Sequence, residues 1–211
     1  LVTGVGYVLR YYDIVDRAKE FLSGKTIGLV QGKYLGEVPG AGTKQWLIKN
    51  AMCGGQLVEQ ATHTVDMMRY LVGEIVSLFS FRFEGVNVRK YPGYDVEDAS
   101  ATVVKFAAGA VGTIACSWLA AGYQSSVELV GDGFSLLIAG NTLQISRAGK
   151  QEIWTSSIDI GVNEDGTFVE AVKKNDPLLP KSSYADAVKT LAVTLAAHRA
   201  WEEGVVVVPA V

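Results

Sequence analysis

Residues 54–71 read Gly54-Gly55-Gln56-Leu57-Val58-Glu59-Gln60-Ala61-Thr62-His63-Thr64-Val65-Asp66-Met67-Met68-Arg69-Tyr70-Leu71. The pattern predicts one helix that opens at the glycine pair and closes near Gly73. At about 100° per residue, Glu59, His63, Asp66 and Tyr70 fall within an arc of roughly 60°. Leu57, Val58, Ala61, Val65, Met68, Leu71 and Val72 fall on the opposite side as a broad apolar stripe. One face is therefore core, and the other is a row of acid, imidazole, acid and phenol. The Glu-to-His spacing of four puts the Glu59 carboxylate one turn before the His63 ring, within reach of it. There it would raise the ring's pKa and fix its tautomer, which suits a general acid/base working on a hydroxyl or carbonyl. The same spacing also occurs on plain solvated helix faces. A zinc site is the weaker expectation, because His63, His198, Cys53 and Cys116 include no pair at ligand spacing.

Composition narrows the class. The 211 residues are 49% hydrophobic and 19% charged, the balance of a soluble globular domain with a sizeable core. A net charge of −3 without a basic cluster gives no reason to expect nucleic acid. No apolar run approaches the ~18 residues needed to span a membrane. Leu1 to Val8 is short and lacks the basic start of a signal peptide. Two cysteines far apart predict reduced thiols and a cytoplasmic setting, a pairing of the two being the alternative, with Cys116 read as a buried, inert thiol in an apolar strand.

Outward from the central stretch, Leu1–Leu9 reads as a short buried strand. Asp13 is a candidate N-cap for a helix that Ile14, Val15, Ala18, Phe21 and Leu22 mark at helical spacing. Ile27–Leu35 reads as a strand, Gly36–Thr43 as a loop and Trp46–Asn50 as a short helical turn. Beyond Gly73 the period changes to two. Strands are expected at Ile75–Val88, Asp98–Phe106, Ala110–Leu119, Gln124–Val130, Phe134–Ala139, Thr142–Ser146 and Glu152–Thr155. Asp132-Gly133 and Gly140-Asn141 punctuate them as tight turns. Such closely spaced strands predict antiparallel neighbours in one meandering sheet. Thr167–Lys174 reads as a short helix. Tyr184 to about Trp201 reads as a long one, capped by Ser182 or Ser183, with Ala187, Leu191, Leu195 and His198 on one face. Val205–Val208 adds a last strand. His198 among alanines reads as a packed or exposed residue rather than a catalyst. There is no Gly-x-Gly-x-x-Gly, P-loop or Gly-x-Ser-x-Gly, and no repeat. The order predicts an α+β fold, a large, mostly antiparallel open sheet with helices on one face.

Four stretches in register resemble the C-terminal domain of the glucose–fructose oxidoreductase / inositol dehydrogenase (Gfo/Idh/MocA) family. The central one is Gly54-Gly55, Glu59, His63 and Asp66, continued by Arg69-Tyr70-Leu71 and Gly73-Glu74. Val5-Gly6-Tyr7 with Arg10-Tyr11 is similar to the family's exit from its nucleotide-binding domain. Trp46 stands where the family often has a Trp before the glycine pair. Glu97-Asp98-Ala99 through Phe106, Gly109 and Gly112 to Ser117 is similar to its acid-Asp, strand, Gly hairpin, strand, Ser signature. The resemblance covers nearly the whole chain.

The resemblance implies one half of an NAD(P)-dependent oxidoreductase that moves a hydride between a nicotinamide and a sugar, cyclic polyol or derivative. His63 matches the catalytic His. Glu59 matches its partner acid, with Glu in place of the commoner Asp. Arg10, Trp46, Asp66, Tyr70 and Tyr94 are candidates for the substrate site. The family's N-terminal Rossmann domain, with its phosphate loop and the Glu-Lys-Pro motif bearing the catalytic Lys, has no counterpart in these residues. Residues 1–211 are therefore expected to be a single C-terminal domain, with 1–12 as the linker from a missing Rossmann half. NAD or NADP would bind tightly only in the full-length parent, and the fragment alone would not turn over. Apolar groups on both faces of the sheet predict a homodimer or tetramer through it. The alternative is a domain of the same family used for ligand binding or oligomerisation without redox chemistry. A metal-dependent hydrolase lacks the ligands.

Overall fold

The computed structural model describes residues 1–210. Residues 1–7 form no regular element, and a 3₁₀ turn at Val8–Tyr11 leads into α1 (Asp13–Leu22) and β1 (Ile27–Glu37). Two 3₁₀ turns, Pro39–Gly42 and Gln45–Ile48, precede three helical pieces: α2 (Asn50–Cys53), α3 (Gln56–Glu59) and α4 (Thr62–Val72). Seven strands follow: β2 (Ile75–Phe83), β3 (Ala99–Phe106), β4 (Val111–Ser117), β5 (Leu119–Gly131), β6 (Phe134–Ala139), β7 (Thr142–Arg147) and β8 (Lys150–Thr155). The chain then forms α5 (Ile160–Lys174) and α6 (Tyr184–Glu203).

The strands form one open sheet in the order β2-β3-β4-β1-β5-β6-β7-β8, an α+β fold as the pattern predicts. The plain antiparallel meander needs one correction. β1 enters between β4 and β5, parallel to β4 (Gly32 opposite Ile114) and antiparallel to β5 (Gly32 opposite Val127). Period-two alternation puts Val30, Val104, Ile114, Leu129, Leu136 and Leu143 into the core, against α1, α4 and α6. Gly32 shows how close the layers come: a Cβ there would sit 2.5 Å from Met68 Sδ and 2.7 Å from Thr64 Cγ2. α4 thus lies directly on β1, and only glycine admits it.

Several expected elements differ. Leu1–Leu9 is not a strand. Gly4 and Gly6 interrupt it, and Val5 N–H donates to the Ser182 carbonyl of a loop rather than to a sheet. The first strand after α4 ends at Phe83, not Val88, because Gly85 turns the chain at φ +115°. Val205–Val208 contributes a single bridge, Val207 to Leu78, at the sheet edge. α5 begins seven residues before Thr167, because the Asp159 carboxylate caps Gly161 and Val162 N–H. Gly161 and Gly166 hide that start in the sequence. On α6, Leu191 and Leu195 face outward; the helix packs through Ala187, Thr190, Val193, Thr194, Ala197 and Ala200. Small residues let it approach α4 and β2 closely. Cys53 and Cys116 are free and buried, and burial pushes the Cys116 thiol up to about 12. No helix among the described residues is long and apolar enough to cross a membrane.

Candidate functional site

The predicted central helix is broken. Gly54 and Gly55 both take positive φ (+73° and +86°), and α3 is a single turn. Gln60 departs to φ −115°, and Ala61 N–H donates to the Gln56 carbonyl five residues back (2.9 Å). Helical repeat resumes only at Thr62. One wide turn therefore falls between Glu59 and His63 and breaks the 100° phase that would have stacked them.

The expected Glu59–His63 pair does not form. Glu59 Oε2 and His63 Nδ1 are both buried with no hydrogen-bond partner among the described residues. His63 packs edge-on against Tyr7, ring centroids 5.9 Å apart at 88°. Tyr7 is fixed by its hydroxyl on Thr62 Oγ1 (3.1 Å). The expectation that a carboxylate would raise the His63 pKa is also corrected. Burial holds it below the ordinary value, and the Asp66 charge only partly opposes this. Burial thus favours the neutral ring, and its Nδ1 has no hydrogen-bond partner among the described residues. Burial raises the Glu59 pKa, while Gln60 and the exposed Lys44 pull it back. The Glu59 charge also acts on the half-buried Tyr34, whose ring meets Tyr123 at 5.2 Å.

Asp66 and Arg10 belong to the interior rather than to a substrate rim. Asp66 is 1% exposed and accepts from Arg10 Nε (2.8 Å), Arg10 Nη2 (2.6 Å) and Thr190 Oγ1 (3.1 Å). Arg10 also donates to Asp186 Oδ2 (2.6 Å) and the Lys181 carbonyl (2.5 Å). Arg69 completes the network through Thr190, Asp186 and Glu74. These charges join the 3₁₀ turn at Val8–Tyr11, α4 and α6 into one unit. Tyr70 flanks it, half-buried, with the Arg10 guanidinium 4.4 Å and Lys19 Nζ 3.8 Å from its ring centre. Tyr94 is buried as well, its hydroxyl donating to the Glu97 carbonyl (2.9 Å). Trp46 is the exception: it lies on the Gln45–Ile48 turn and is 42% exposed.

The structure thus gathers Glu59, His63, Tyr7, Tyr34 and Lys44 around the α3–α4 break. Tyr7, Tyr34 and Lys44 carry no spacing signal, because tertiary packing alone brings them there. No group of three or more His, Cys, Asp or Glu among the described residues could hold a metal. Nor does the glycine pair offer a phosphate cradle. Glu97 Oε1 already accepts Leu57 N–H (3.0 Å) at the start of α3, so an anion there would meet a carboxylate.

Comparison with known proteins agrees with this architecture. The uncharacterized protein UNK4.17 of Schizosaccharomyces pombe is 28% identical over 92% of the chain, and the match spans 54% of that protein, so the chain covers about half its length. Levoglucosan dehydrogenase in complex with NADH and levoglucosan superposes with TM-score 0.85 at 22% identity, over 99% of this chain and 67% of that one. An oxidoreductase domain protein from Kribbella flavida gives 0.83 at 16% identity, over 100% and 67%. UDP-N-acetylglucosamine 3-dehydrogenase from Acidithiobacillus ferrooxidans gives 0.77 at 16% identity, over 96% and 62%. Likeness at this identity speaks for the fold. Residues 15–136 match the GFO/IDH/MocA C-terminal domain model, more than half of the chain, and so the chain belongs to the GFO/IDH/MocA family.

Proposed function

We propose that this chain is the substrate-binding, acid/base half of an NAD(P)-dependent oxidoreductase acting on a sugar, a cyclic polyol or a derivative. One observation carries the proposal. His63 is a half-buried imidazole whose pKa burial holds below the ordinary value, with Nδ1 unpartnered among the described residues, packed against Tyr7 at the break between α3 and α4. Oxidising an alcohol carbon removes a hydride from carbon and a proton from oxygen. A neutral ring with a free nitrogen accepts that proton, and the resulting imidazolium returns it in the reverse direction. Burial makes the imidazolium costly and so favours prompt release of the proton.

The other residues divide by placement. Glu59, unpaired with His63, is free to accept a hydrogen bond from a neighbouring substrate hydroxyl, with Lys44 beside it. Trp46 is exposed and offers a face on which a sugar ring can stack. Arg10, Asp66 and Tyr94 support from behind. Glu97 at the glycine pair disfavours the dinucleotide's pyrophosphate there, and a separate nucleotide-binding domain of the full-length protein would hold it. The outer face of the sheet, carrying Phe81, Val103 and Ile153, is proposed to meet a second copy.

The test is turnover by the full-length protein, scanning anhydrosugars, hexoses, inositols and sugar acids with NAD⁺ and NADP⁺. Reduction of either dinucleotide by one member of the panel supports the proposal. Binding of a sugar without any reduction would contradict it and favour a binding or oligomerisation role.

A further inference from the structure

The Glu97-Asp98 pair at the foot of β3 divides its work between two neighbours. The Asp98 carboxylate accepts Val86 N–H (2.7 Å) and Asn87 N–H (3.0 Å), pinning the turn after β2. The Glu97 carboxylate points the other way. It is 3% exposed and takes the first amides of α3, with Leu57 N–H donating to Oε1 at 3.0 Å and Gln56 N–H also donating.

α3 needs such an outside group. A four-residue turn is too short to persist by its own hydrogen bonds. Its N-cap position is Gly55, which has no side chain with which to cap. The missing side chain is also what admits Glu97, because a Cβ on Gly55 would overlap Glu97 Oε2. Burying a carboxylate is costly, and burial pushes the Glu97 pKa up. Donated amides at a helix N-terminus offset that cost and pull the pKa back. The other end of α3 is held too. Trp118, buried just after β4, donates its indole N–H to Gln60 Oε1 (3.2 Å). Trp118 N–H in turn donates to the Asp98 carbonyl (2.9 Å). The turn that carries Glu59 and delivers His63 is thus braced at both ends from the same corner of the sheet.

We infer that Glu97 is a positioning residue for the site: its carboxylate fills the space Gly55 leaves, caps α3 and, with Trp118 on Gln60, fixes the offset that keeps Glu59 and His63 apart. The catalytic part of this assignment rests on the oxidoreductase function proposed above; the cap itself does not.

The full-length protein tests both parts with Glu97→Ala, Glu97→Gln and Gly55→Ala, beside Ile48→Val as a destabilising control, Ile48 being fully buried in one hydrophobic cluster with Tyr94 and Trp118. Amide exchange at Gln56 and Leu57 should accelerate about tenfold or more in Glu97→Ala and Gly55→Ala, while β3 and β4 amides keep their rates. With a substrate in hand, kcat should fall about tenfold in both variants, with KM for the dinucleotide within about twofold. Glu97→Gln keeps an acceptor oxygen and should recover to within about threefold of wild type. Ile48→Val should lower the melting temperature without moving either readout. Unchanged exchange at Gln56 and Leu57 in a folded Glu97→Ala would overturn the inference, as would an equal loss of kcat in Ile48→Val. If Glu97→Ala fails to fold, Gly55→Ala and Glu97→Gln carry the same comparison. A wild-type protein without turnover on any substrate counts against the proposed function alone, and exchange then decides the cap.

Discussion

At the scale of single residues, the two histidines show how burial sets protonation. His63 and His198 both have pKa values below the ordinary imidazole value, through desolvation first. For His198 the value is about 4, with the Arg82 charge lowering it and the Glu202 charge raising it. Its ring stacks 4.3 Å from Trp201, and its Nε2 is buried without a partner among the described residues. A pKa depressed on folding means that the unfolded chain binds the proton first as pH falls. Stability is therefore full above about pH 6.5 and drains away as pH drops toward 4. The shift corresponds to on the order of 2 kcal/mol once the ring's partial exposure is allowed for. Unfolding free energies from denaturant titrations at pH 7 and pH 4.5 should differ by about that much more in the wild type than in His198→Gln. Equal pH dependence in the two would refute this. The sequence told of His198 only that alanines surround it, which left packing and exposure both open and said nothing of Trp201 as its neighbour.

At the scale of elements, the Arg10–Asp66 pair ties the start of the chain to α4 and α6. Both partners are buried, so removing one leaves a charge without its full set of partners. Asp66→Ala should cost about 3 kcal/mol in a denaturant titration, because Asp186 keeps only part of the Arg10 pairing. The double change Arg10→Met with Asp66→Leu should cost clearly less than Asp66→Ala alone, since the charge leaves with its partner. A double variant as unstable as the sum of the single ones would contradict this. The same element shows where sequence periodicity reaches its limit. The apolar stripe of Leu57, Ala61, Val65 and Met68 was legible and is core. Asp66 was legible as a polar residue of the helix, but its burial was not, because its partners lie at positions 10 and 190. The wide turn at Gln60 was not legible either. It depends on Trp118 and Glu97 far along the chain, and it alone turns an apparent Glu59–His63 pair into two separate groups.

At the scale of the whole molecule, the alternating strands and their turns were readable from position to position. The place of β1 was not. Strand order depends on which edge a distant segment finds, and period two is the same for a parallel neighbour as for an antiparallel one. That order produces a sheet with one face under helices and one face open. On the open face Phe81 is 68% exposed and Val103 57% exposed, and the register puts Phe79 beside Val103 and Phe81 beside Ala101. The interface between copies proposed above would cover this patch. Light scattering should give a dimer or tetramer for the wild type, and Phe81→Lys with Val103→Lys should give a monomer that remains folded. A monomeric wild type at high micromolar concentration would refute the interface.

The proposed chemistry comes down to His63, and one measurement addresses it most directly. In the full-length protein with its best substrate and saturating dinucleotide, kcat is compared between wild type and His63→Ala, with the melting temperature checked in both. The account predicts a fall of about a hundredfold or more with the fold intact and KM for the dinucleotide little changed. A kcat within a few-fold of wild type would contradict it and reduce the α3–α4 break to scaffold.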